Sequence, residues 1–219
     1  LNPKQFNNKK DFNSYPRNIK KDLQILKKSK KVDFVYLPKF KDIYTDNKKS
    51  KIIINKKDKI LCAKFRKGHF EGVLDVMNRL TKIINPNKIF MGEKDFQQLY
   101  LVKSFLEKRY KTKIISCRTI RGKNKIALST RNFLLNSSSL NLAGKIYKKL
   151  KNIKKKINNK NDISDYLMYS KKKLEMSLKI KIDYLELRNI KNLKISKTKN
   201  NSRLFIAYYL YNVRLIDNL

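Results

Sequence analysis

Over residues 70–85 the apolar positions Val73, Val76, Met77, Leu80, Ile83 and Ile84 trace one face of an α-helix, and Asn85-Pro86 ends the pattern. The short run Lys88-Ile89-Phe90-Met91 then has strand character, Leu99, Val102, Leu106 and Tyr110 share a second helical face, and residues 113–117 supply another strand. Upstream, Ile19, Leu23 and Leu26 mark a helix over residues 17–30 with Ser14 and Pro16 as start signals. Residues 32–37 read as a strand stopped by Pro38, and Leu1-Asn2-Pro3 reads as the end of a strand entering a loop. Ile52 to Ile54 and Ile60 to Cys62 suit a peripheral strand pair. The resulting β-α-β-α-β order predicts a parallel sheet with right-handed crossovers.

After Thr119 the rhythm changes. A loop rich in Arg, Lys and Gly leads to residues 127–132, helices follow near 140–151 and 164–178, and strand-like runs lie near 180–187 and 204–210. The spacers are residues 158–161 and 197–201. The chain is therefore divided into an α/β domain over residues 1–119 and a smaller α+β domain over 120–219 that lids it.

Composition narrows the class. With 219 residues, 41% of them hydrophobic, the chain can bury a sizeable core, and no apolar run approaches the roughly 18 residues a transmembrane helix needs. The start has no hydrophobic signal region, so a cytoplasmic location is expected. Cys62 and Cys117 lack Cys-x-x-Cys spacing and only one histidine is present, so no zinc set can be assembled and both cysteines are read as buried free thiols. Lys plus Arg is 55 against 17 for Asp plus Glu, a formal charge of +38. The lysines are spread along the whole chain, which reads as solvated surface with diffuse, salt-sensitive attraction to polyanions. A dedicated RNA-binding module would interleave aromatics with basic residues, whereas Tyr208, Tyr209 and Tyr211 sit in a hydrophobic run. No specific nucleic acid and no membrane partner is expected.

The candidate chemistry centres on Gly92-Glu93-Lys94-Asp95-Phe96-Gln97-Gln98, a strand-to-helix turn of the kind where open α/β sheets bind ligands. Lys94 offers a mobile charge to phosphate, and Glu93, Asp95, Gln97 and Gln98 can grip hydroxyls or amines. Taken alone, the tract equally fits a charged loop whose Asp95 caps a helix. Further segments occur in a fixed order: Leu1-Asn2-Pro3-Lys4-Gln5-Phe6, Asp11-Phe12 with Tyr15-Pro16-Arg17, Gly68-His69-Phe70 with Gly72-Val73, and Ala127-Leu128-Ser129-Thr130-Arg131-Asn132. Together with Asp183-Tyr184-Leu185-Glu186-Leu187 and Arg214-Leu215-Ile216-Asp217-Asn218, they make the chain resemble the pantothenate synthetase (pantoate–β-alanine ligase) family from Leu1 to Leu219.

That resemblance implies a Rossmann-like fold of the nucleotidyl-transferase superfamily, with a first strand and a glycine-and-histidine (HIGH-type) loop preceding Leu1. The 219-residue chain without that segment is expected to be poorly soluble and inactive. The implied reaction is condensation of pantoate with β-alanine, through a pantoyl adenylate made from ATP with Mg²⁺, in pantothenate and coenzyme A biosynthesis. Gln5 and Gln98 match the pantoate-binding glutamines, Gln5 also meeting β-alanine. Gly92, Glu93, Lys94 and Asp95 match the ATP-binding turn, Ile120 would touch adenine through its backbone, and Leu128, Ser129, Thr130 and Arg131 match the phosphate-binding KMSKS-like loop. Thr130 stands where serine is commoner and keeps the hydroxyl. Lys94, Ser129, Thr130 and Arg131 are the implied catalytic groups, with no metal ligand among the side chains. Arg66 and His69 are secondary candidates, and the lone His69 is assigned a capping or positioning role. The family also implies a homodimer. Another adenylate-forming synthetase of the same superfamily is the nearest alternative, but one activating an amino acid would want a carboxylate for the substrate amine where this chain has Gln5 and Gln98.

Overall fold

The computed structural model describes residues 2–6, 9–45, 52–157 and 162–219. Helices α1 (Lys9–Ser14), α2 (Ile19–Ser29), α3 (Phe40–Ile43) and α4 (Cys62–Phe65) precede the long α5 (His69–Ile84). Strand β1 (Lys88–Gly92), helix α6 (Phe96–Leu106) and strand β2 (Lys113–Cys117) follow. The remainder is α7 (Ser137–Lys156), α8 (Ile163–Leu178), β3 (Lys181–Asn189), β4 (Ser202–Leu210) and β5 (Val213–Asn218). The fold is mixed α/β, as the periodicity predicts. β1 and β2 pair in parallel, from Lys88 opposite Lys113 to Gly92 opposite Cys117, with α6 as their crossover. β3, β4 and β5 form an antiparallel meander in that order.

Two apolar clusters meet across the meander. Val73 and Leu74 of α5, Val102 and Leu106 of α6 and Ile114 of β2 pack with Phe205 and Ala207 of β4. Ile146 and Leu150 of α7 and Leu167 and Leu174 of α8 pack with Leu204, Ile206 and Tyr208, the alternate positions of the same strand. β4 is buried on both faces, which is why it reads in sequence as an unbroken apolar run. Among the described residues, no helix is long and apolar enough to cross a membrane.

Helix α5 starts after Gly68, whose φ of 78° is left-handed, and ends at Asn85, also left-handed, before Pro86. The helical stripe is buried only over its first half. Val73 is in the core, Val76, Met77 and Leu80 are partly covered, and Ile83 and Ile84 are exposed. Helix α2 is capped by Asn18, whose Oδ1 accepts the Lys21 amide, and not by Ser14 or Pro16. Helix α6 stops at Leu106, so Tyr110 lies beyond it and donates its hydroxyl to Asn78.

Several expected elements do not form. Residues 32–37 join no described strand, and Phe34, Val35, Tyr36 and Leu37 are exposed, so the parallel sheet has two strands among the described residues instead of three. Strand propensity needs a neighbouring edge to pair with, and no described strand pairs with this run. The peripheral pair near residues 52–62 is likewise absent. Its place is taken by a 3-10 turn over Lys56–Asp58 and by the buried amide of Gln97, which donates to the carbonyls of Asp58 (3.2 Å) and Ile60 (2.8 Å) and accepts from the Cys62 amide (3.0 Å). One side chain thus satisfies backbone groups that a strand ladder would have paired. At the start, Asn2 caps a 3-10 turn over Pro3–Gln5 and does not end a strand, while Leu1 lies outside the described residues. Cys62 is buried as expected, but Cys117 is exposed, because it closes an edge strand whose last positions face out. Residues 197–201 form the expected loop between β3 and β4, and residues 158–161 lie outside the described part.

Candidate active site

The carboxyl end of β1 opens onto a cavity of about 350 Å³ that Gln5, Tyr15, Arg66, His69, Lys94, Asp95, Gln98 and Leu128 to Arg131 line. A second cavity of about 290 Å³ adjoins it, and Arg66, Lys94 and Arg131 belong to both, with Arg214 of β5 added in the second. Four cations thus line the joined cavities of this cleft, together with the carboxylates of Asp11, Asp95 and Asp217.

Gln5 reaches the cleft because its 3-10 turn lies directly on α5. A Cβ at Gly72 would stand 2.2 Å from the Lys4 carbonyl oxygen, so only glycine permits that approach. His69 Nε2 lies 2.9 Å from an Arg66 Nη. Guanidinium has no acceptor, so Nε2 accepts, the proton sits on Nδ1, and Nδ1–H donates to the Gln5 carbonyl at 2.6 Å. His69 is neutral, because burial and then the Arg66 charge hold its pKa down to about 4. It is a fixed strut between Arg66 and Gln5. The side-chain amides of Gln5 and Gln98 have no partner among the described residues, and both remain available to a ligand.

The state of His69 has a measurable consequence. Its folded pKa of about 4 lies below the ordinary 6.5, so its contribution to stability is complete above pH 6.5 and is lost as pH falls through 4. The shift corresponds to roughly 3 kcal/mol. Denaturant titrations are expected to show the wild type losing about that much relative to His69→Gln between about pH 7 and pH 4. Parallel pH profiles for the two proteins would refute the assignment.

The turn Glu93–Asp95 places Lys94 and Asp95 in the cleft, with Lys94 Nζ 3.3 Å from Asp95 Oδ1. Glu93 points the other way and accepts from Arg203 at 2.8 Å. Gly92 has φ of −72°, and a Cβ there would meet nothing within 4 Å, so the backbone on that side is open. Ile120 is exposed, and its carbonyl accepts the Leu128 amide. Neither Gly92, Glu93 nor Ile120 lines the first cavity, whereas Leu128 through Arg131 do. Ser129 caps a 3-10 turn by accepting the Arg131 amide, and the Thr130 hydroxyl donates to Tyr15 at 2.5 Å. Arg131 grips Asp11 through two bonds of 2.6 and 3.0 Å, which hold the Asp11 carboxyl below its usual range.

The sequence motifs contained Asp11, Tyr15 and Arg214 without giving them a task. Arg214 pairs with Asp183 at 2.8 Å and touches the Cys62 sulfur, which in turn meets the Tyr184 hydroxyl at 3.1 Å. Their shared signal was only membership of the motifs.

Known proteins agree with this architecture. The family model described as Pantoate-beta-alanine ligase matches residues 1–219. A pantothenate synthetase of Flavobacterium psychrophilum is 34% identical over 100% of this chain and 79% of its own length. One from Francisella tularensis subsp. novicida is 38% identical over 100% of this chain and 76% of its own. The crystal structure of pantothenate synthetase from Thermus thermophilus superposes with a TM-score of 0.90 at 26% identity, over 100% of this chain and 80% of that one. A Francisella tularensis pantoate-beta-alanine ligase, solved with beta-gamma ATP and beta-alanine, gives 0.81 at 37%, over 100% and 76%. These neighbours have the nucleotidyltransferase fold, and this chain belongs to the pantoate–β-alanine ligase family, ligases that form a C–N bond.

Proposed function

We propose that this cleft condenses pantoate with β-alanine through a pantoyl adenylate. In the first step a pantoate carboxylate oxygen attacks the α-phosphorus of ATP and pyrophosphate leaves. In the second the β-alanine amine attacks the acyl carbon, loses its proton, and AMP leaves. Gln5 and Gln98 bind pantoate hydroxyls and carboxylate, with Gln5 also facing β-alanine. Gly92 to Asp95, Ile120 and Leu128 to Arg131 bind ATP, and Lys94, Ser129, Thr130 and Arg131 stabilise the departing pyrophosphate. Arg66 and His69 hold the Gln5 turn. The observation that carries this reading is the convergence of Gln5, Lys94, Gln98 and Ser129 to Arg131, from distant parts of the chain, on one cleft.

Magnesium enters as part of the nucleotide. An ion carried mainly by nucleotide phosphates needs few protein ligands. Residues 120–219 act as a lid over residues 1–119, and the family relationship supports a homodimer located in the cytoplasm.

Pantoate-dependent exchange of labelled pyrophosphate into ATP by the product of the complete reading frame tests the reaction. Gln5→Ala and Gln98→Ala are each expected to weaken pantoate by about 1 to 3 kcal/mol, since substrate polar groups lose a partner in a closed site. Pantoate affinity unchanged in both variants would end the assignment.

A further inference from the structure

The turn that carries Lys94 is held from outside its own β-α unit. Asn218, at the end of β5, is 4% exposed, and its Nδ2 donates to the carbonyl of Glu93 (2.9 Å) and the carbonyl of Lys94 (3.0 Å). Its Oδ1 accepts from Arg203 of β4 at 2.7 Å, and the other Nη of Arg203 donates to the Glu93 carboxylate at 2.8 Å. The backbone of Asn218 is fixed in turn. Its amide donates to Asp217 at 2.8 Å, and Asp217 takes two bonds from Arg121 at 2.7 and 2.8 Å.

Both donors and the acceptor of the Asn218 side chain are thus occupied, and they bear on one turn. The Glu93 and Lys94 carbonyls belong to the peptide planes on either side of the Lys94 Cα. Fixing both planes fixes the direction in which the Lys94 side chain leaves the backbone. A salt bridge to Glu93 alone would tether the turn without setting that direction, whereas a primary amide spanning consecutive carbonyls does set it.

We propose that Asn218 is a positioning residue for Lys94, so that the antiparallel sheet, through Asn218 of its edge strand β5 and Arg203 of its central strand β4, aims the lysine at the ATP phosphates. This inference rests on the reading of Lys94 as a phosphate-binding group. Asn218→Asp keeps the shape and the acceptor for Arg203 but sets a carboxylate oxygen against two carbonyls, and Asn218→Ala removes the contacts outright.

The test measures pantoate-dependent pyrophosphate exchange in the full-length enzyme for Asn218→Ala, Asn218→Asp, Lys94→Ala and each double variant, with melting curves for all. Misplacing a charged group by about 1 Å can cost on the order of 10²-fold, so each Asn218 variant is expected to lose about 10- to 100-fold in maximal rate. The pantoate KM is expected to stay within about twofold, and the Asn218 changes to add nothing in the Lys94→Ala background. If Asn218→Ala fails to fold, the isosteric Asn218→Asp carries the comparison. A wild-type rate in a folded Asn218 variant, or an undiminished loss in the Lys94→Ala background, overturns the proposal alone. A wild-type rate in Lys94→Ala instead overturns the reading beneath it, and the proposal with it.

Discussion

Lys94→Ala and Arg131→Ala are each expected to slow pantoyl adenylate formation on the order of 10² to 10³-fold, far more than they weaken ATP binding. Negative charge shifts toward the bridging oxygen as pyrophosphate leaves, so a cation fixed beside it gains most of its interaction in the transition state. Lys94 is only 19% exposed and Arg131 22%, and both line the same cleft, where partial exclusion of water strengthens the effect. Arg131 carries an added constraint, since its guanidinium is already bonded through both arms to Asp11. Nucleotide phosphate must take over or share those donors. Arg131→Lys is therefore not expected to restore the rate, because an ammonium cannot bond Asp11 and phosphate in the same planar geometry. Pyrophosphate exchange kinetics decide the matter: a raised ATP KM with an intact maximal rate would make both residues ground-state binders.

Gly72→Ala is expected to be as damaging although residue 72 lies outside the cleft. The new methyl would stand 2.2 Å from the Lys4 oxygen and 2.7 Å from the Lys4 carbonyl carbon. The backbone there cannot yield as a flexible side chain would, so the Pro3–Gln5 turn must lift from α5 by about 1 Å, at a cost of roughly 1 to 3 kcal/mol. That movement also stretches the 2.6 Å bond from His69 to the Gln5 carbonyl and carries the Gln5 amide away from its place in the cleft. The pantoate KM is expected to rise on the order of 10²-fold, the scale of an ångström's misplacement. Gly92→Ala is the control for the apo fold, since its Cβ meets nothing within 4 Å, and it should leave the melting temperature unchanged. An unaltered pantoate KM in Gly72→Ala would show that the turn is not held by this contact.

Local periodicity carried much of the fold. The α5, β1, α6 and β2 segments were legible because each pattern completes itself within a few turns or one strand, and Gly68 and Asn85-Pro86 mark the ends of α5. Strand formation over residues 32–37 was not legible, because it depends on a neighbouring edge that the run itself does not encode. The β5 segment is a motif without a strand signature of its own, since its hairpin turns at Tyr211, with φ of 51°, where no glycine marks the bend. Within the seven-residue turn the polar residues looked alike, yet the helical start sends them to different sides. Lys94, Asp95 and Gln98 face the cleft, Glu93 is spent on Arg203, and Gln97 on the loop before α4. Pairs such as Asp11 with Arg131 leave no local trace at all.

The sequence distances in these contacts set an order of assembly. Each sheet pairs neighbouring strands, whereas Glu93 meets Arg203 across 110 residues, Asp11 meets Arg131 across 120, and Cys62 meets Arg214 across 152. Long loops must close before such contacts return any free energy, so the two sheets form ahead of the cleft between them. During synthesis, Lys94 is made well over a hundred residues before Asn218, the amide that fixes its turn. Until residues 213–218 have joined the meander, a nascent chain can be largely folded and still lack an aimed lysine.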